Sequence, residues 1–282
     1  MRHCGRFAPM RPAQPVPRKL SAVNQKPASS QTVMLSAAGA EFTAYVATPQ
    51  IPAEQYKGAV IVIHEVWGVV DHIRSVADRY AAEGYLAIAP DLMDDLGASS
   101  DEAEKLQRQL VSADPTELAR GQERLRELMA PITEPAFATR AIHRLIAAVD
   151  HLHRQEAVAG RIAVTGFSFG GSYAFSLAVA DSRVRASIPF YAYVNLPREL
   201  LGEIACPILY FVGEDDPALF QALPVLTEQM KGAHVDFTAI AYRKTGHAFF
   251  NESNAHAYRK DAAQDAWKKS LAFLAENLAP TR

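Results

Sequence analysis

The feature that most constrains the fold of this chain is the segment Arg161–Tyr173, which reads RIAVTGFSFGGSY. The four residues after Arg161 are mostly apolar and partly β-branched, and residues 161–165 predict a short buried strand. A glycine-rich turn over Gly166–Gly171 follows, and the small apolar residues after it predict a buried helix. Gly166 and Gly170 leave room for a strained backbone that projects the hydroxyl of Ser168 clear of the sheet. This strand, turn and helix favour a nucleophilic serine over an incidental serine in a plain turn.

The rest of the chain predicts one large α/β domain, which suits 282 residues of which 49% are hydrophobic. A hairpin is predicted over 32–36 and 41–47, at one edge of the sheet. Further strands are predicted over 58–63, 85–89, 161–165, 186–190, 207–212 and 235–241. Helices are predicted over 71–83, 101–130 with a break near 114–115, 139–154, 172–180, 218–231 and 256–278. This alternation predicts a doubly wound, mostly parallel sheet with helices on both faces.

The N-terminal region differs from the rest in composition. Residues 1–31 are predicted to be a disordered, basic and proline-rich extension, and residues 32–282 the folded domain. The extension lacks the apolar core of a secretory signal, so export is not expected. Its basic composition, with no Asp or Glu, fits an organelle transit peptide or an over-extended start equally well.

Charge and cysteine content exclude several classes of partner. The net charge is −2 and the first 40 residues are basic, so the folded part is acidic and nucleic acid is not an expected partner. No apolar run approaches the roughly 18 residues of a membrane span, and no membrane partner is expected. With only Cys4 and Cys206, a disulfide framework is excluded and a reducing, cytoplasmic compartment is favoured. A monomer and a homodimer both fit this composition.

A serine hydroxyl becomes a good nucleophile only when a base removes its proton. On a fold of this kind the acid and then the histidine follow the serine along the chain. His247, in the loop after the last predicted strand, is therefore the predicted general base. Asp215 and Asp216 both follow the strand at 207–212, and the residues alone do not separate them as the acid. His64 also ends a buried strand, but it precedes the serine and is predicted to be structural.

The predicted oxyanion donors are two backbone amides. Phe169 begins the helix after the serine, where the helix N-terminus carries partial positive charge. Val66 lies in the loop after the strand at 58–63, which is the expected source of a second amide. Glu65 in the same loop has two interpretations, an ion pair with a base such as Arg74 or a part in the active site.

Taken together, these motifs resemble the dienelactone hydrolase family. The resemblance rests on HEVWG at 64–68, GYLAIAPDL at 84–92, and the loops of the serine, the acid and the histidine, and it spans about residues 32–278. It implies an α/β-hydrolase fold and hydrolysis of carboxylic esters or lactones without a cofactor or metal. It also selects Asp216 as the acid, supports Val66 and Phe169 as oxyanion donors, and identifies Glu65 with the family's glutamate that touches the nucleophile.

Aromatic side chains near the predicted strand ends are candidates for an apolar substrate pocket. Trp67 and Phe249, together with Glu65, are predicted to contact the substrate, although aromatic residues in such places are often core. The function predicted from the sequence is therefore a serine hydrolase acting on a small ester or lactone. The alternatives are a peptidase or thioesterase on the same fold, and a catalytically idle module that binds a ligand.

Two departures from the family pattern bear on the substrate. The name-giving members use a cysteine nucleophile, whereas this chain has Ser168, which depends more fully on His247. Those members also hold a substrate carboxylate with arginines, at positions where this chain has Asp94 and Asp95, and Asn251. Acidic and neutral side chains cannot clamp a carboxylate.

We therefore predict that a lactone bearing a free carboxylate is a poorer substrate than its uncharged methyl ester. The measurement is kcat/KM for the two compounds under the same conditions. Equal turnover of the two would contradict this expectation.

Overall fold

The structure, a computed structural model, describes residues 29–94, 100–194 and 196–280. Its strands are β1 Ser29–Ala37, β2 Ala40–Thr48, β3 Gly58–Ile63, β4 Tyr85–Pro90, β5 Ile162–Phe167, β6 Val184–Phe190, β7 Ile208–Gly213 and β8 Phe237–Tyr242. Its helices are α1 Asp71–Ala82, α2 Ser100–Leu110, α3 Pro115–Met129, α4 Pro135–His153, α5 Phe169–Ala180, α6 Pro217–Gly232 and α7 Lys260–Asn277. Residues 1–28 of the predicted extension lie outside the described residues, and so does Asp95.

The strands form one sheet in the order β1-β2-β4-β3-β5-β6-β7-β8. β2 pairs antiparallel with β1 and β4, and all the other pairings are parallel. Every residue of β3, β4, β5 and β7 is buried, as expected when helices cover both faces of a parallel sheet. The predicted doubly wound, mostly parallel sheet is confirmed.

Several element boundaries differ from the predicted ones for local reasons. β1 begins at Ser29, before the predicted domain boundary, because its first residues pair with the end of β2. α4 begins at Pro135, since proline has no amide hydrogen and suits the first turn of a helix. The predicted break near 114–115 is confirmed, because the Asp114 carboxylate accepts a hydrogen bond from the Thr116 amide and caps α3.

The turn between β5 and α5 determines where the serine points. Ser168 has a φ of 53°, in the left-handed region that residues other than glycine rarely adopt. A Cβ atom at Gly166 would overlap the backbone of Gly170, and a Cβ atom at Gly170 would overlap the backbone at the end of β3. The turn therefore needs glycine at both positions.

The parallel strands bring distant parts of the chain to one edge of the sheet. Glu65 follows β3, Ser168 follows β5, Tyr191 follows β6, Asp216 follows β7 and His247 follows β8. Because the carboxyl ends of parallel strands meet at the same edge, these residues lie close together. No helix in the described ranges combines the length and apolar character needed to cross a bilayer.

The tight turn predicts a strong effect of one added methyl group. We expect Gly166→Ala to lower the free energy of unfolding by about 3 kcal/mol and Tm by about 6–12 °C, because the new Cβ must displace backbone. Gly202→Ala is the matched control, since a Cβ there meets no atom within 4 Å and the residue is already helical. Thermal unfolding measures both variants, and equal Tm values would contradict the overlap.

Candidate active site

Ser168, His247 and Asp216 form a continuous chain of hydrogen bonds. The Ser168 Oγ lies 2.8 Å from the His247 Nε2, and the His247 Nδ1 lies 2.6 Å from the Asp216 Oδ2. A carboxylate only accepts hydrogen bonds, so the proton of the neutral ring is assigned to Nδ1, which donates to Asp216. The unprotonated Nε2 then accepts a hydrogen bond from the Ser168 hydroxyl. The structure thus brings together the three side chains predicted from widely separated loops.

Backbone packing holds the acid and the histidine side by side. The amide of Asp215 donates to the carbonyl of Thr245, so the loop after β7 is bonded to the loop after β8. Gly213 lies where a Cβ atom would overlap the Thr245 backbone, which shows how closely the two loops approach. Asp216 is buried at the start of α6, whereas Asp215 is exposed. Burial and the hydrogen bond to His247 therefore separate the two aspartates, which the residues alone did not.

His64 has a different environment from His247. Its side chain is fully buried, its Nδ1 donates to the Glu65 carbonyl over 2.5 Å, and its Nε2 accepts from the Leu92 amide over 2.9 Å. Burial lowers its pKa, so the ring is held neutral. Its ring stacks on Phe169 at 5.9 Å. The Nε2 bond joins the end of β3 to the second residue after β4, in agreement with the structural role predicted for His64.

The two predicted oxyanion residues lie on neighbouring backbone segments. Phe169 is the first residue of α5, where amides have no partner within the helix. The start of α5 lies against the end of β3, because a Cβ atom at Gly170 would overlap the backbone of Ile63. Val66 follows closely, in a turn closed by a hydrogen bond from the Gly68 amide to the Glu65 carbonyl. The start of the helix that follows Ser168 thus packs against the strand end that leads to Val66.

Glu65 is a buried carboxyl group with polar, uncharged partners. Its side chain accepts hydrogen bonds from the Asn251 Nδ2 at 2.8 Å and the Tyr191 hydroxyl at 3.4 Å. Burial raises the pKa of Glu65, while the Asn251 bond and the nearby His247 oppose that shift. The ion pair considered with Arg74 is wrong, because Arg74 pairs with Asp71 on its own helix.

The predicted contact between Phe249 and the substrate is not supported. Phe249 is fully buried and packs edge-on against Tyr191 and Tyr242, with ring centroids 5.4 Å apart in both pairs. It therefore supports the residues behind the site and offers no surface to a ligand in this conformation. Trp67 is only partly buried and packs against the core at the site loop, so its predicted contact stays a prediction.

The positions of the family's arginines carry no positive charge in the described residues. Asp94 accepts hydrogen bonds from the amide and the hydroxyl of Thr43, and Asn251 is occupied with Glu65. The sequence singled out Asn251 as a departure but not as the partner of Glu65, and it missed the hydroxyl of Tyr191. Within the ranges that the structure describes, no three His, Cys, Asp or Glu side chains converge as a metal site requires.

Comparisons with known proteins identify the family and the fold. A protein of Saccharolobus solfataricus named "putative carboxymethylenebutenolidase" is 31% identical over 84% of this chain and 94% of its own length. A Bradyrhizobium protein named "probable 2-oxo-3-(5-oxofuran-2-ylidene)propanoate lactonase" is 29% identical over 85% of this chain and 91% of its own. The crystal structure of dienelactone hydrolase from Anabaena variabilis shares the fold, with a TM-score of 0.63 and 16% identity over 88% of this chain and 99% of that one. The family model described as "Dienelactone hydrolase family" matches residues 42–278. The chain therefore belongs to the dienelactone hydrolase family and has its α/β-hydrolase fold.

Proposed function

We propose that this protein is a serine hydrolase that cleaves a carboxylic ester or lactone through an acyl-enzyme. The observation that carries the proposal is the bonding of His247 to Ser168 on one side, at 2.8 Å, and to Asp216 on the other, at 2.6 Å. Membership of a hydrolase family supports the same reaction type, and the names of two relatives favour a lactone or ester.

In the first half of the reaction, the Ser168 Oγ attacks the carbonyl carbon of the substrate while the His247 Nε2 removes the hydroxyl proton. The resulting imidazolium is stabilised by the carboxylate of Asp216, which also fixes the orientation of the ring. The imidazolium then gives its proton to the leaving alkoxide, the carbon–oxygen bond breaks, and the acyl group remains on Ser168. In a lactone, that alcohol stays attached to the acyl group.

The negative charge that develops on the carbonyl oxygen needs fixed donors. We assign this role to the amides of Val66, in the loop after β3, and Phe169, at the start of α5. Donors of this kind are worth about 3–4 kcal/mol each in the transition state. In the second half of the reaction a water molecule, deprotonated by His247, attacks the acyl carbon, and Ser168 regains its proton as the acid is released.

Burial and hydrogen bonding favour the Ser168 hydroxyl over the Cys206 thiol as the nucleophile. Cys206 is the one cysteine among the described residues, and burial raises the pKa of its thiol to about 12. A protonated, buried thiol is inert. Ser168, in contrast, has a base within hydrogen-bond distance, so its lack of intrinsic acidity is overcome by His247.

Substitutions in the proposed triad provide the test, with hydrolysis of p-nitrophenyl esters and small lactones as the measurement. We expect Ser168→Ala to lower kcat/KM by at least about 10³-fold. Asp216→Asn should lower it by roughly 10³–10⁴-fold, because the neutral amide cannot stabilise the imidazolium and its NH2 group favours the wrong tautomer of the ring. Asp215→Asn is the matched control, since it removes an adjacent but exposed carboxylate. It should stay within about threefold of the wild type.

Two results would overturn the proposal. Activity retained by Ser168→Ala would remove the serine from the reaction. An equal fall in Asp215→Asn and Asp216→Asn would show that the bond between Asp216 and His247 has no special role.

A further inference from the structure

The side chain of Glu65 joins loops that follow three different strands. Glu65 follows β3, Tyr191 follows β6 and Asn251 lies beyond β8, 186 residues from Glu65 along the chain. Glu65 is 3% exposed, and its carboxyl group accepts hydrogen bonds from both other residues. In the described parts of the chain it has no arginine or lysine partner. The family resemblance implied contact with the nucleophile, but Ser168 is not among its hydrogen-bond partners here.

Asn251 ties this carboxyl group to the turn that carries His247. The backbone amide of Asn251 donates to the Ala248 carbonyl at 3.0 Å, and its Oδ1 accepts from the Ser253 amide at 3.0 Å. The other polar atom of its side chain, Nδ2, donates a hydrogen bond to the Glu65 Oε2 at 2.8 Å. The Oδ1 of Asn251 thus stabilises the local chain, and its Nδ2 attaches this segment to the loop after β3.

Tyr191 connects the same carboxyl group to the imidazole itself. Its ring centroid lies 5.0 Å from that of His247, and its hydroxyl lies 3.4 Å from the Glu65 Oε1. The backbone of Tyr191 is strained, with a φ of 37°, and is held by a bond from its amide to the Phe211 carbonyl at 2.7 Å. A ring fixed at both ends forms a rigid wall beside the imidazole.

A contribution to the stability of the fold does not by itself explain this buried carboxyl group. A carboxyl group buried without a cation carries a desolvation penalty, and well-packed apolar residues often replace buried charges without loss of stability. Catalysis, in contrast, depends strongly on geometry, and a displacement of about 1 Å can lower a rate about 100-fold.

Building on the proposed function, we propose that Glu65 is a positioning residue. Its hydrogen bonds to Asn251 and Tyr191 fix the His247 turn against the loop after β3, of which Val66 is the next residue. The base and one oxyanion donor are therefore held in a single arrangement around Ser168. This role replaces the substrate contact predicted from the sequence, because in it Glu65 touches neither the substrate nor the reacting atoms.

The test uses Glu65→Ala, Glu65→Gln, Asn251→Ala and the double alanine variant, with kcat and KM measured on a p-nitrophenyl ester. We expect each single alanine substitution to lower kcat roughly 10–100-fold, with KM changed less than about threefold. The double variant should fall no further, because either substitution breaks the same bond. Glu65→Gln keeps an oxygen that accepts from Asn251 and should recover kcat to within about fivefold of the wild type.

Glu252→Gln is the matched control, because Glu252 is the residue after Asn251, is exposed and pairs with Arg79. It should leave kcat unchanged. Labelling of wild-type Ser168 by a fluorophosphonate is measured first, and failure of that labelling rejects the proposed function rather than the role of Glu65.

If the fluorophosphonate labels wild-type Ser168, three outcomes overturn the positioning role of Glu65. The first is a Glu65→Gln variant as slow as Glu65→Ala beside an unaffected Asn251→Ala, which would indicate a direct effect of charge. The second is a lower Tm with unchanged kcat, which would indicate a structural role only. The third is additive losses in the double variant. If Glu65→Ala does not fold, Asn251→Ala must still be slow and Glu65→Gln must not be.

Discussion

The structure depends on close approach between backbone segments at the carboxyl edge of the sheet. The loop after β7 lies directly against the loop after β8 at Gly213, and the turn after β5 lies against the end of β3 at Gly170. Side chains at these points would push the segments apart. Because the segments touch, a serine, a histidine and an aspartate from three distant loops come within hydrogen-bond distance. The proposed chemistry rests on that convergence.

Three residues at the same edge have strained backbones. Ser168, Tyr191 and Ala248 all have positive φ values, of 53°, 37° and 59°. Each such residue costs on the order of 1–3 kcal/mol and persists only where the surroundings hold it in place. Here the Ser168 amide donates to the Phe190 carbonyl and the Tyr191 amide to the Phe211 carbonyl. The core strands thus supply the rigidity that keeps the site preorganised before a substrate binds.

The sequence was sufficient for features with a local cause. Continuous apolar runs indicated the buried strands, and the glycine spacing around Ser168 indicated the sharp turn. Long-range packing lay beyond it. Asp215 and Asp216 share one loop, and their residue types do not separate them; the family resemblance selected Asp216, and the fold shows that Asp216 is the one buried against His247. The direction of the Phe249 ring depends on Tyr191 and Tyr242, and the partner of Glu65 lies 186 residues away.

The most direct measurement is the site of covalent modification by a fluorophosphonate, mapped by mass spectrometry. Such reagents need a serine that a neighbouring base has activated. The account predicts one adduct, on the peptide that contains Ser168, and strongly slowed labelling when His247 is replaced by alanine. An unlabelled protein, or an adduct on another serine, would contradict it.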